Sequence, residues 1–463
     1  MPLGETIAAA ATPAGESALA IVRASGPLAP MLAAAVLDRA AGDAPSPRQA
    51  TFGHYHAVSG EVLDQIVLTF FAAPASATGE DLLEISCHGS PLIVRRILED
   101  LLARGCRTAQ PGEFTRTAFV NGKLDLSQAE AVAGLIRARS EGARRAAQRQ
   151  LDGALSRRVQ EFSSALLQIQ AEIEAYIDFP EEDLPKEDPA GPREKIKQLA
   201  AEVEKLLATA RYGALLRDGA SAVIAGPPNA GKSSLLNALL DRPRAIVSPE
   251  PGTTRDFLQE PFMAGPYAIQ ITDTAGLRPE SLDPIEREGV ARSLEKIAAS
   301  DFLLLVVDST LPAPAIPSEV LKAINPQNTL VLENKTDLSD STSLSLFLAD
   351  CKHIRISTKT GEGLDFLRTQ LVTALESAYA IPNDELILIS ARHVSTLARA
   401  HQALMAARQK FTQHAPVELL ASDLSQALES LGEIIGLDAP DSAASYDHNA
   451  MLDRLFATFC IGK

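Results

Sequence analysis

The chain has 463 residues, enough for roughly three domains of ~150 residues each, so it can bury hydrophobic cores without disulfide bonds. Hydrophobic residues make up 46% of the sequence and charged residues 22%, a composition that excludes a disordered or fibrous chain. The formal net charge of −16 argues against electrostatic coating of nucleic acid or anionic membrane by the whole chain, but a local basic face remains compatible with it.

The cysteines and the N-terminus indicate the compartment. Cys87, Cys106, Cys351 and Cys460 are widely spaced and form no C-x-x-C pair, which favours a reduced chain. The first residues carry Glu5 in place of a basic signal region, and no apolar run approaches the ~18 residues of a membrane helix. The sequence therefore predicts a cytoplasmic protein with no membrane span and no membrane partner.

The stretch from Leu19 to about Leu102 combines short apolar segments with one amphipathic helix. The segments LAIVR, ATFGHYHA, VLDQIVLTFF and LLEISCHG are bounded by Gly or Pro, which is typical of strands. Apolar residues recur at helical spacing in IVRRILEDLLARG. This part of the sequence predicts a small α+β domain.

Helical patterns follow Asn121. Five apolar residues at spacings of four, three, four and three fall on one helical face: Phe162, Leu166, Ile169, Ile173 and Tyr176. The segment from Asp178 to Pro192 holds four prolines and six carboxylates, which predicts an exposed connector. Two further apolar seams are predicted, one at Ile196, Leu199, Val203 and Leu206 and one at Leu420, Leu424, Leu428, Leu431 and Ile435.

Between about Ser221 and Ala378 the pattern alternates strands and helices, which indicates a parallel sheet. Since helical segments lie on both sides of this module, we expect it to be inserted into a helical domain whose two halves pack together. The predicted domains are 1–120, 121–216 for the first helical half, 217–378 for the inserted module and 379–463 for the second helical half. The predicted fold class is multidomain, with an α+β N-terminal domain, a discontinuous all-α helical domain and an inserted α/β domain.

The segment from Gly226 to Ser233 matches the pattern G-x-x-x-x-G-K-[ST] between a predicted strand and a predicted helix. Its glycines let backbone N–H groups turn toward phosphate oxygens, and the helix start adds the positive end of a dipole. In this pattern Lys232 reaches the β and γ phosphates, and the Ser233 hydroxyl can ligate Mg²⁺. The motif predicts a site for a nucleoside triphosphate.

Three further motifs follow in order along the chain. Asp273-Thr274-Ala275-Gly276 ends a strand, where a carboxylate can hold the water shell of Mg²⁺ and a glycine amide can meet the γ-phosphate. The segment Pro251 to Asp256 offers threonine hydroxyls to the metal. The segment Asn334-Lys335-Thr336-Asp337 carries a carboxylate that can accept hydrogen bonds from N1–H and N2–H of guanine. Adenine presents an acceptor and a hydrogen atom at these positions, so the carboxylate excludes it. In this order and spacing, the motifs resemble the Ras-like P-loop GTPases.

One departure from the Ras-like pattern concerns the attacking water. Leu277 stands where those enzymes carry a glutamine, and its side chain cannot form a hydrogen bond. Two replacements fit the sequence, the carboxylate of Glu286 or a monovalent cation held near Asn229. Glu286 equally fits the solvent-facing start of an acidic helix.

Motifs outside the inserted module extend the resemblance over essentially the whole chain. They are Ala11-Thr12-Pro13, Thr78-Gly79-Glu80-Asp81, Cys87-His88-Gly89, Pro111 to Thr115, Asn121 to Leu126 and the terminal Cys460-Ile461-Gly462-Lys463. Together they resemble the MnmE/TrmE family of tRNA modification GTPases. The terminal motif is the most specific of them, because no general folding rule requires it.

The resemblance implies a homodimer whose N-terminal domain binds folate and dimerises. It implies a heterotetramer with a FAD-containing flavoprotein, MnmG or GidA, that adds an aminomethyl or carboxymethylaminomethyl group at carbon 5 of the wobble uridine (U34) of tRNA. The one-carbon source would be 5-formyl- or 5,10-methylenetetrahydrofolate, in contact with Arg23, Glu80, Lys123 and Lys463. Cys460 is implied as a reactive thiol that takes part in catalysis.

In the inserted domain the resemblance implies Mg²⁺ at Ser233 and Thr254. It also implies K⁺ at Asn229, Ser248, Thr253 and the carbonyl of Glu250. Two such domains would meet across the nucleotide, with Lys232 and K⁺ compensating charge and Glu286 positioning water. The expected GTP contacts are Asn229, Ala230, Gly231, Lys232, Ser233, Ser234, Ser248, Pro249, Glu250, Pro251, Gly252, Thr253, Thr254, Asp273, Thr274, Ala275, Gly276, Asn334, Lys335, Asp337, Ser357, Thr358 and Lys359.

The last three of these contacts depart from the family pattern. The segment Ser357-Thr358-Lys359 stands where the usual loop has alanine in the middle, but the amide of Thr358 can still reach O6 of guanine. The segment from Ile389 to Arg392 copies the usual loop more closely. Because it lies in a predicted helical region, we interpret it as unrelated to the nucleotide.

One stretch is strongly basic. It carries seven arginines against Glu141 and Asp152: Arg137, Arg139, Arg144, Arg145, Arg149, Arg157 and Arg158. This stretch can meet tRNA phosphates or a partner protein, and it equally fits a solvated helix face. Aromatic residues for base stacking are absent from it.

Two other classes of protein share the phosphate motif. A GTP-dependent binding switch, such as a ribosome-assembly GTPase, needs neither a one-carbon pocket nor a terminal thiol. A metabolic P-loop kinase would leave Asn334 to Asp337 unexplained.

Overall fold

The structure is a computed structural model. It describes residues 4–40, 43, 45–178, 191–240, 260–273, 295, 297–314, 321, 324–338, 344, 347–379, 387, 389–413, 416–436, 452, 453, 455–457, 459 and 462. The chain divides into two compact units. The first comprises Met1–Ile136, Gln148–Glu204 and Arg392–Lys463, and the second comprises Arg137–Ala147 and Lys205–Ala391.

A six-stranded sheet forms the N-terminal part of the first unit. Its strands, in the spatial order β3-β4-β5-β2-β1-β6, are β1 (Ile7–Ala10), β2 (Ser17–Ser25), β3 (Ala50–His56), β4 (Val62–Phe71), β5 (Leu82–Gly89) and β6 (Arg107–Thr108). Helices α1 (Ala29–Ala35) and α2 (Pro91–Ala103) complete this part. Alternation along β2 buries Val22 and Ala24 in the core and turns Arg23 to the opposite face.

The four predicted strands and the predicted helix of this part are confirmed. The sequence does not predict β1, β6 or α1. Strand β1 is only four residues long and contains three alanines, which have low β propensity. It is held by antiparallel pairing with β2 and parallel pairing with β6.

Five helices follow along the chain: α3 (Glu113–Val120), α4 (Leu126–Arg137), α5 (Glu141–Leu151), α6 (Ala154–Asp178) and α7 (Pro192–Ala208). All but α5 lie wholly or mainly in the first unit, and most of α5 belongs to the second unit. The predicted seam of α6 is buried at Phe162, Leu166, Ile169 and Ile173, and the side chain of Tyr176 lies outside the described set. The predicted seam of α7 is also buried. Most of the predicted connector lies outside the described residues, but Pro192 begins α7, where its missing N–H costs no hydrogen bond.

The second unit contains an α/β sheet. Its elements are α8 (Ala210–Asp218), β7 (Ala220–Ala225), α9 (Lys232–Leu240), β8 (Glu260–Ala264), β9 (Tyr267–Asp273), β10 (Phe302–Asp308), β11 (Thr329–Asn334), β12 (Lys352–Arg355) and α10 (Leu364–Tyr379). The sheet order is β12-β11-β10-β7-β9-β8.

The five predicted strands of this sheet are confirmed, and they pair in parallel. The sequence does not predict the sixth strand, β8, which runs antiparallel to β9 at one edge. Only Gly265 and Pro266 join these two strands. A connection this short can form only a hairpin, because parallel neighbours need a crossover of a dozen residues or more.

The last long helices are α11 (Ala391–Thr412) and α12 (Val417–Ile435). Helix α12 packs against α6, where Gln170 Nε2 donates to Ser425 Oγ at 2.9 Å. Four residues of the predicted α12 seam are buried, and Leu428 is half-buried. Because α6 precedes the α/β module and α12 follows it, the two helical halves meet, and the predicted discontinuous helical domain is confirmed. Among the residues that the structure describes, no helix is long and apolar enough to span a membrane.

The arrangement of the α/β sheet defines where a ligand can bind. Strands β7, β10 and β11 are parallel neighbours, and Asp308 at the end of β10 pairs in register with Asn334 at the end of β11. Ligands of open α/β sheets bind at the carboxyl ends of such strands. The described motifs at 226–233 and 334–337 follow β7 and β11 at this edge.

Candidate functional site

The loop between β7 and α9 is a tight backbone turn. Gly226, Asn229 and Gly231 have positive φ angles of 146°, 64° and 101°, conformations that favour glycine and asparagine. A Cβ at Gly226 would collide with the carbonyl oxygen of Val306 on β10. The backbone path therefore requires the glycines of the motif, and this path can turn N–H groups toward a phosphate.

Lys232 begins α9 and places a cation at this loop. Its ammonium donates hydrogen bonds to the carbonyls of Gly226 at 3.0 Å and Pro227 at 2.8 Å. Ser233 and Ser234 follow in the first helical turn, with exposed side chains. The cation and the helix N-terminus together favour an anionic ligand.

Asn334 connects the phosphate loop to a second loop. Its side chain is almost fully buried, and its Nδ2 donates to the carbonyl of Ala230 at 2.8 Å. Its Oδ1 accepts a hydrogen bond from the amide of Thr358 at 3.1 Å. The sequence predicts that this asparagine belongs to a nucleotide motif, but its double contact is a finding of the structure.

Asp337 is exposed on the same edge of the sheet. Its Oδ1 accepts a hydrogen bond from Ser357 Oγ at 2.8 Å. Ser357 Oγ in turn accepts a hydrogen bond from the backbone amide of Thr360 at 3.2 Å. The carboxylate is thus oriented from one side and open to a ligand on the other. Lys359 is also exposed. The amide of Thr358, which the sequence assigns to guanine O6, donates to Asn334 in this structure, so a base contact would share that N–H.

Lys335 forms an ion pair with Asp308, with 2.6 Å between Nζ and Oδ2. Burial raises the pKa of Asp308, but the Lys335 ammonium and the two hydrogen bonds from Thr310 outweigh it and hold that pKa below its usual value. The sequence does not single out Asp308. The sequence feature that could have identified Asp308 is its position at the end of an apolar strand, next to the strand that carries Asn334.

Many predicted nucleotide residues cannot be placed. Asp273 ends β9, and its side chain lies outside the described set. The predicted residues with no described position are Ser248, Pro249, Glu250, Pro251, Gly252, Thr253, Thr254, Thr274, Ala275, Gly276 and Glu286. Cys460 and Lys463 of the terminal motif are also outside the described residues.

A second group of predicted residues lies in the first unit. Arg23 Nε and Nη2 donate to Glu84 Oε1 on β5 at 3.0 and 2.5 Å. Its Nη1 donates to the carbonyl of Gly462 at 3.1 Å. Gly462 has a φ of 90°, and a Cβ there would collide with the carbonyl of Ala10 at the end of β1. Arg23 therefore contacts the segment that carries the terminal motif.

Glu80 is held on the same side of β2 as Arg23. Its Oε2 accepts a hydrogen bond from Ser25 Oγ at 3.0 Å, and Ser25 Oγ is also 2.8 Å from the hydroxyl oxygen of Thr78. Ser25 and Thr78 are buried. Since Ser25 follows Arg23 by two residues on one strand, both side chains face the same way. Sequence reasoning missed Ser25 and Glu84, which have no motif of their own.

Lys123 lies next to the loop that carries Glu80. Its Nζ donates to the carbonyl of Pro74 at 3.1 Å. Asn121 Nδ2 donates to the carbonyl of Thr78 at 2.8 Å. The structure thus brings together Arg23, Glu80 and Lys123, three of the four predicted folate residues.

The predicted basic stretch is partly neutralised by its own neighbours. Glu141 pairs with Arg144 and Arg145, and these hydrogen bonds lower the pKa of Glu141 to about 2. Arg158 pairs with Glu161 and Glu202. Contact of this stretch with tRNA stays a prediction.

The second loop-like motif has a structural role. Arg392 lies in the first turn of α11, where its Nε is 2.6 Å from Glu130 Oε1 and its Nη atoms donate to the carbonyls of Glu433 and Ile434. Its guanidinium is thus engaged within the helical domain. This placement agrees with the interpretation that Ile389 to Arg392 is unrelated to the nucleotide.

A phosphate loop that Asn334 ties to an oriented, open carboxylate is the arrangement of a P-loop GTPase. Comparison with known proteins defines the family. The chain matches the family models for the MnmE helical domain, over residues 126–460, and for the GTP-binding protein TrmE N-terminus, over residues 6–123. It belongs to the MnmE family of GTPases.

Relatives from two bacteria are similar over their whole length. The chain is 47% identical over 468 residues to the tRNA modification GTPase MnmE of Opitutus terrae, with 100% of both chains covered. It is 41% identical over 468 residues to the tRNA modification GTPase MnmE of Geobacter sulfurreducens, also with 100% of both covered. Among solved structures, the G domain of the T. maritima FeoB iron transporter is 26% identical, covers 34% of this chain and 98% of its own, and has a TM-score of 0.27.

Proposed function

We propose that the chain is the GTP-hydrolysing subunit of a complex that modifies carbon 5 of the wobble uridine (U34) in tRNA. It acts as a homodimer with a FAD-containing MnmG or GidA partner in a heterotetramer. A one-carbon unit from 5-formyl- or 5,10-methylenetetrahydrofolate becomes part of the aminomethyl or carboxymethylaminomethyl group that is added. The names of the relatives support tRNA as the substrate.

The observation that carries this proposal is the 3.1 Å hydrogen bond from Arg23 to the carbonyl of Gly462. It joins one proposed folate residue to the segment that carries the proposed thiol, Cys460, and the proposed folate contact Lys463. A GTPase that served only as a binding switch would have no use for a folate site beside this terminal motif.

The chemistry of the folate residues fits the ligand. A carboxylate such as Glu80 can pair with the guanidine-like edge of a pterin, and the hydrogen bond from Ser25 orients it for that contact. Arg23, Lys123 and Lys463 are cations that can meet the carbonyl or glutamate carboxylates of folate. Arg23 is already held by Glu84, so little side-chain freedom is lost when folate binds.

The nucleotide residues fit the two proposed cations. Ser233 offers a hard oxygen ligand to Mg²⁺ at the exposed start of α9, with Thr254 as the second hydroxyl. Asn229 offers an exposed amide oxygen to K⁺ from the phosphate loop itself, with Ser248, Thr253 and Glu250 as the other ligands. When bound, the cations supply positive charge near the transferring phosphoryl group. Lys232 adds charge there, and Glu286 orients the attacking water.

An exposed apolar face of the N-terminal sheet supports the homodimer. Phe52 on the edge strand β3 is 68% exposed and pairs across the strands with Val67 on β4, which is 38% exposed. Leu19 on β2 is 64% exposed. A second copy can cover such a face with its own equivalent face in a two-fold contact, which removes apolar surface from water.

The proposal is tested by mass spectrometry of wobble nucleosides in tRNA from a deletion strain. The strain is complemented with the wild-type chain, Lys232→Ala, Arg23→Ala or the control Arg96→Ala, which removes only a surface ion pair with Glu61. We expect the wild type and the control to restore the carbon-5 modification and the other two variants to fail. Thermal unfolding and GTPase rates of purified Arg23→Ala show whether that variant is folded.

Two results would contradict the proposal at different levels. Unchanged nucleosides in the deletion strain would favour a GTP-dependent binding switch such as a ribosome-assembly GTPase. Full restoration of the modification by Arg23→Ala would contradict the proposed folate site but not the proposed GTPase role. Calorimetric titration of the wild type with 5-formyltetrahydrofolate provides the direct check, and no heat of binding would count against the one-carbon chemistry.

A further inference from the structure

Asp308 is a nearly buried carboxylate at the nucleotide edge of the sheet, outside the recognised motifs. Its side chain is 10% exposed. Its Oδ1 accepts hydrogen bonds from the amide and the hydroxyl of Thr310 at 2.9 and 2.6 Å, and its Oδ2 lies 2.6 Å from Lys335 Nζ. The carboxylate is therefore fixed by Thr310 on one side and holds an ammonium on the other.

Lys335 is constrained at both ends. Its backbone has a φ of 68°, a left-handed conformation that is uncommon for a residue with a long side chain. Asn334, directly before it, is bound to the phosphate loop and to Thr358. The ammonium of Lys335 is held by Asp308, so its four-carbon stem is fixed between the constrained backbone and this ion pair. A free lysine side chain has rotamer entropy that nucleotide binding would otherwise have to overcome.

We propose that Asp308 is a positioning residue for guanine nucleotide binding, which acts by holding the Lys335 side chain in its binding conformation before the nucleotide arrives. This inference rests on the proposed nucleotide role of residues 334–337. Because the ammonium is neutralised by Asp308, the apolar stem is presented to the flat face of a purine. The same preorganisation serves GDP and GTP, since the contact involves no γ-phosphate.

The first test removes the negative charge of residue 308 and keeps the shape of its side chain. In the full-length chain, Asp308→Asn retains an oxygen that can accept both hydrogen bonds from Thr310 and removes the negative charge that faces Lys335. We expect the Kd for fluorescent GDP and GTP analogues to rise by about tenfold for both, through lost preorganisation. We expect kcat at saturating GTP to stay unchanged. The control, Asp365→Asn, breaks an exposed ion pair with Arg368 on α10 and leaves both quantities at the wild-type value.

A double-mutant cycle separates positioning from simple stabilisation of the strand end. If Asp308 acts through Lys335, Asp308→Asn raises Kd in the wild-type background and has no further effect in the Lys335→Ala background. An equal effect in both backgrounds would overturn the inference in favour of a structural role. The inference would also be overturned if Lys335→Ala weakens binding but Asp308→Asn binds the nucleotide with the wild-type Kd. An unchanged Kd for Lys335→Ala would overturn both the inference and the proposed nucleotide role of this lysine.

Discussion

Gly231 lies where the phosphate loop contacts Asn334 of the 334–337 loop. Its φ of 101° lies outside the range of most side chains. A Cβ at this position would collide with Nδ2 of Asn334, the atom that donates to the carbonyl of Ala230. This glycine therefore allows the hydrogen bond that joins the phosphate loop to the 334–337 loop.

Gly231→Ala is expected to weaken binding of GTP and GDP by more than tenfold, because the new Cβ displaces Asn334 and with it both loops. Gly60→Ala is the control for backbone strain, since Gly60 has a φ of 83° with nothing within 4 Å of the added carbon. The control is expected to cost about 1 kcal/mol of stability and to leave nucleotide affinity unchanged. Equilibrium titration and thermal unfolding measure the two effects, and wild-type affinity in Gly231→Ala would contradict the account.

The sequence predicts the need for glycine at 226 and 231, because the motif states it directly. It does not predict what each glycine avoids. The carbonyl of Val306 and the amide of Asn334 are tens of residues away along the chain, and only the folded sheet brings them to the loop. The same limit hid Asp308, whose partner Lys335 lies directly after the neighbouring strand β11.

At the scale of elements, one buried polar cluster ties together three helices. Glu130 on α4 pairs with Arg392 and His393 on α11, at 2.6 and 3.0 Å. Arg392 also donates to the carbonyls of Glu433 and Ile434 at the end of α12, as a cation does at a helix C-terminus. Since α4 precedes the inserted module and the other two helices follow it, this cluster joins the two sequence halves of the helical domain.

The stability contribution of this cluster depends on pH. Burial raises the pKa of Glu130, but His393 and Arg392 outweigh it and lower that pKa from 4.5 to about 2. The folded-state pKa is below the unfolded one, so the contribution is complete above about pH 4.5 and is lost as the pH falls toward 2. Glu130→Gln is expected to lower the free energy of unfolding by about 3 kcal/mol at pH 7.

Urea unfolding at several pH values measures this difference between Glu130→Gln and the wild type. It should shrink between pH 4.5 and pH 2, as the wild-type carboxylate takes up its proton. The control, Glu61→Gln, removes an exposed partner of Arg96 and should have no measurable effect at pH 7. A difference that stays constant with pH would show that the charge of Glu130 is not the cause.

Helix periodicity predicts the apolar seams of α6, α7 and α12, because each seam repeats along one helix. The polar cluster has no such repeat. Glu130 and Arg392 are 262 residues apart in sequence, and Arg392 stands in a motif that resembles a guanine loop. Edge strand β8 was missed for a related reason, since its antiparallel direction follows from the short turn after it and not from the βα alternation.

At the scale of the whole molecule, the ends of the first unit come together. Arg116 pairs with Asp453 at 2.8 Å, and Gly112 lies so close to the carbonyl of Phe456 that a Cβ would collide with it. Arg23 adds the contact with Gly462. The sequence predicts a folate-binding N-terminal domain and a reactive C-terminus only through the family resemblance, and the contacts between them are a finding of the structure.

The oligomeric state tests the exposed face of the N-terminal sheet. Phe52→Asp places a charge within the exposed apolar face and is expected to shift the full-length chain from dimer to monomer in sedimentation velocity experiments. The matched control is Leu92→Asp, which changes an apolar residue of α2 that is 55% exposed and should leave the dimer intact. If Phe52→Asp is as dimeric as the wild type, the dimer contact does not involve this face. If the wild type itself is monomeric, the proposed homodimer is contradicted.

The most direct test of the nucleotide site is a competition between GTP, ATP and XTP for the wild type and Asp337→Asn. In the proposed site the wild-type carboxylate, oriented by Ser357, is the acceptor for both N–H groups of guanine, so GTP should bind about 10³-fold tighter than ATP or XTP. The amide of Asp337→Asn can donate to the carbonyl that xanthine carries in place of the amino group, so this variant should prefer XTP. Equal binding of GTP and ATP by the wild type, or an unchanged preference for GTP in Asp337→Asn, would contradict the account.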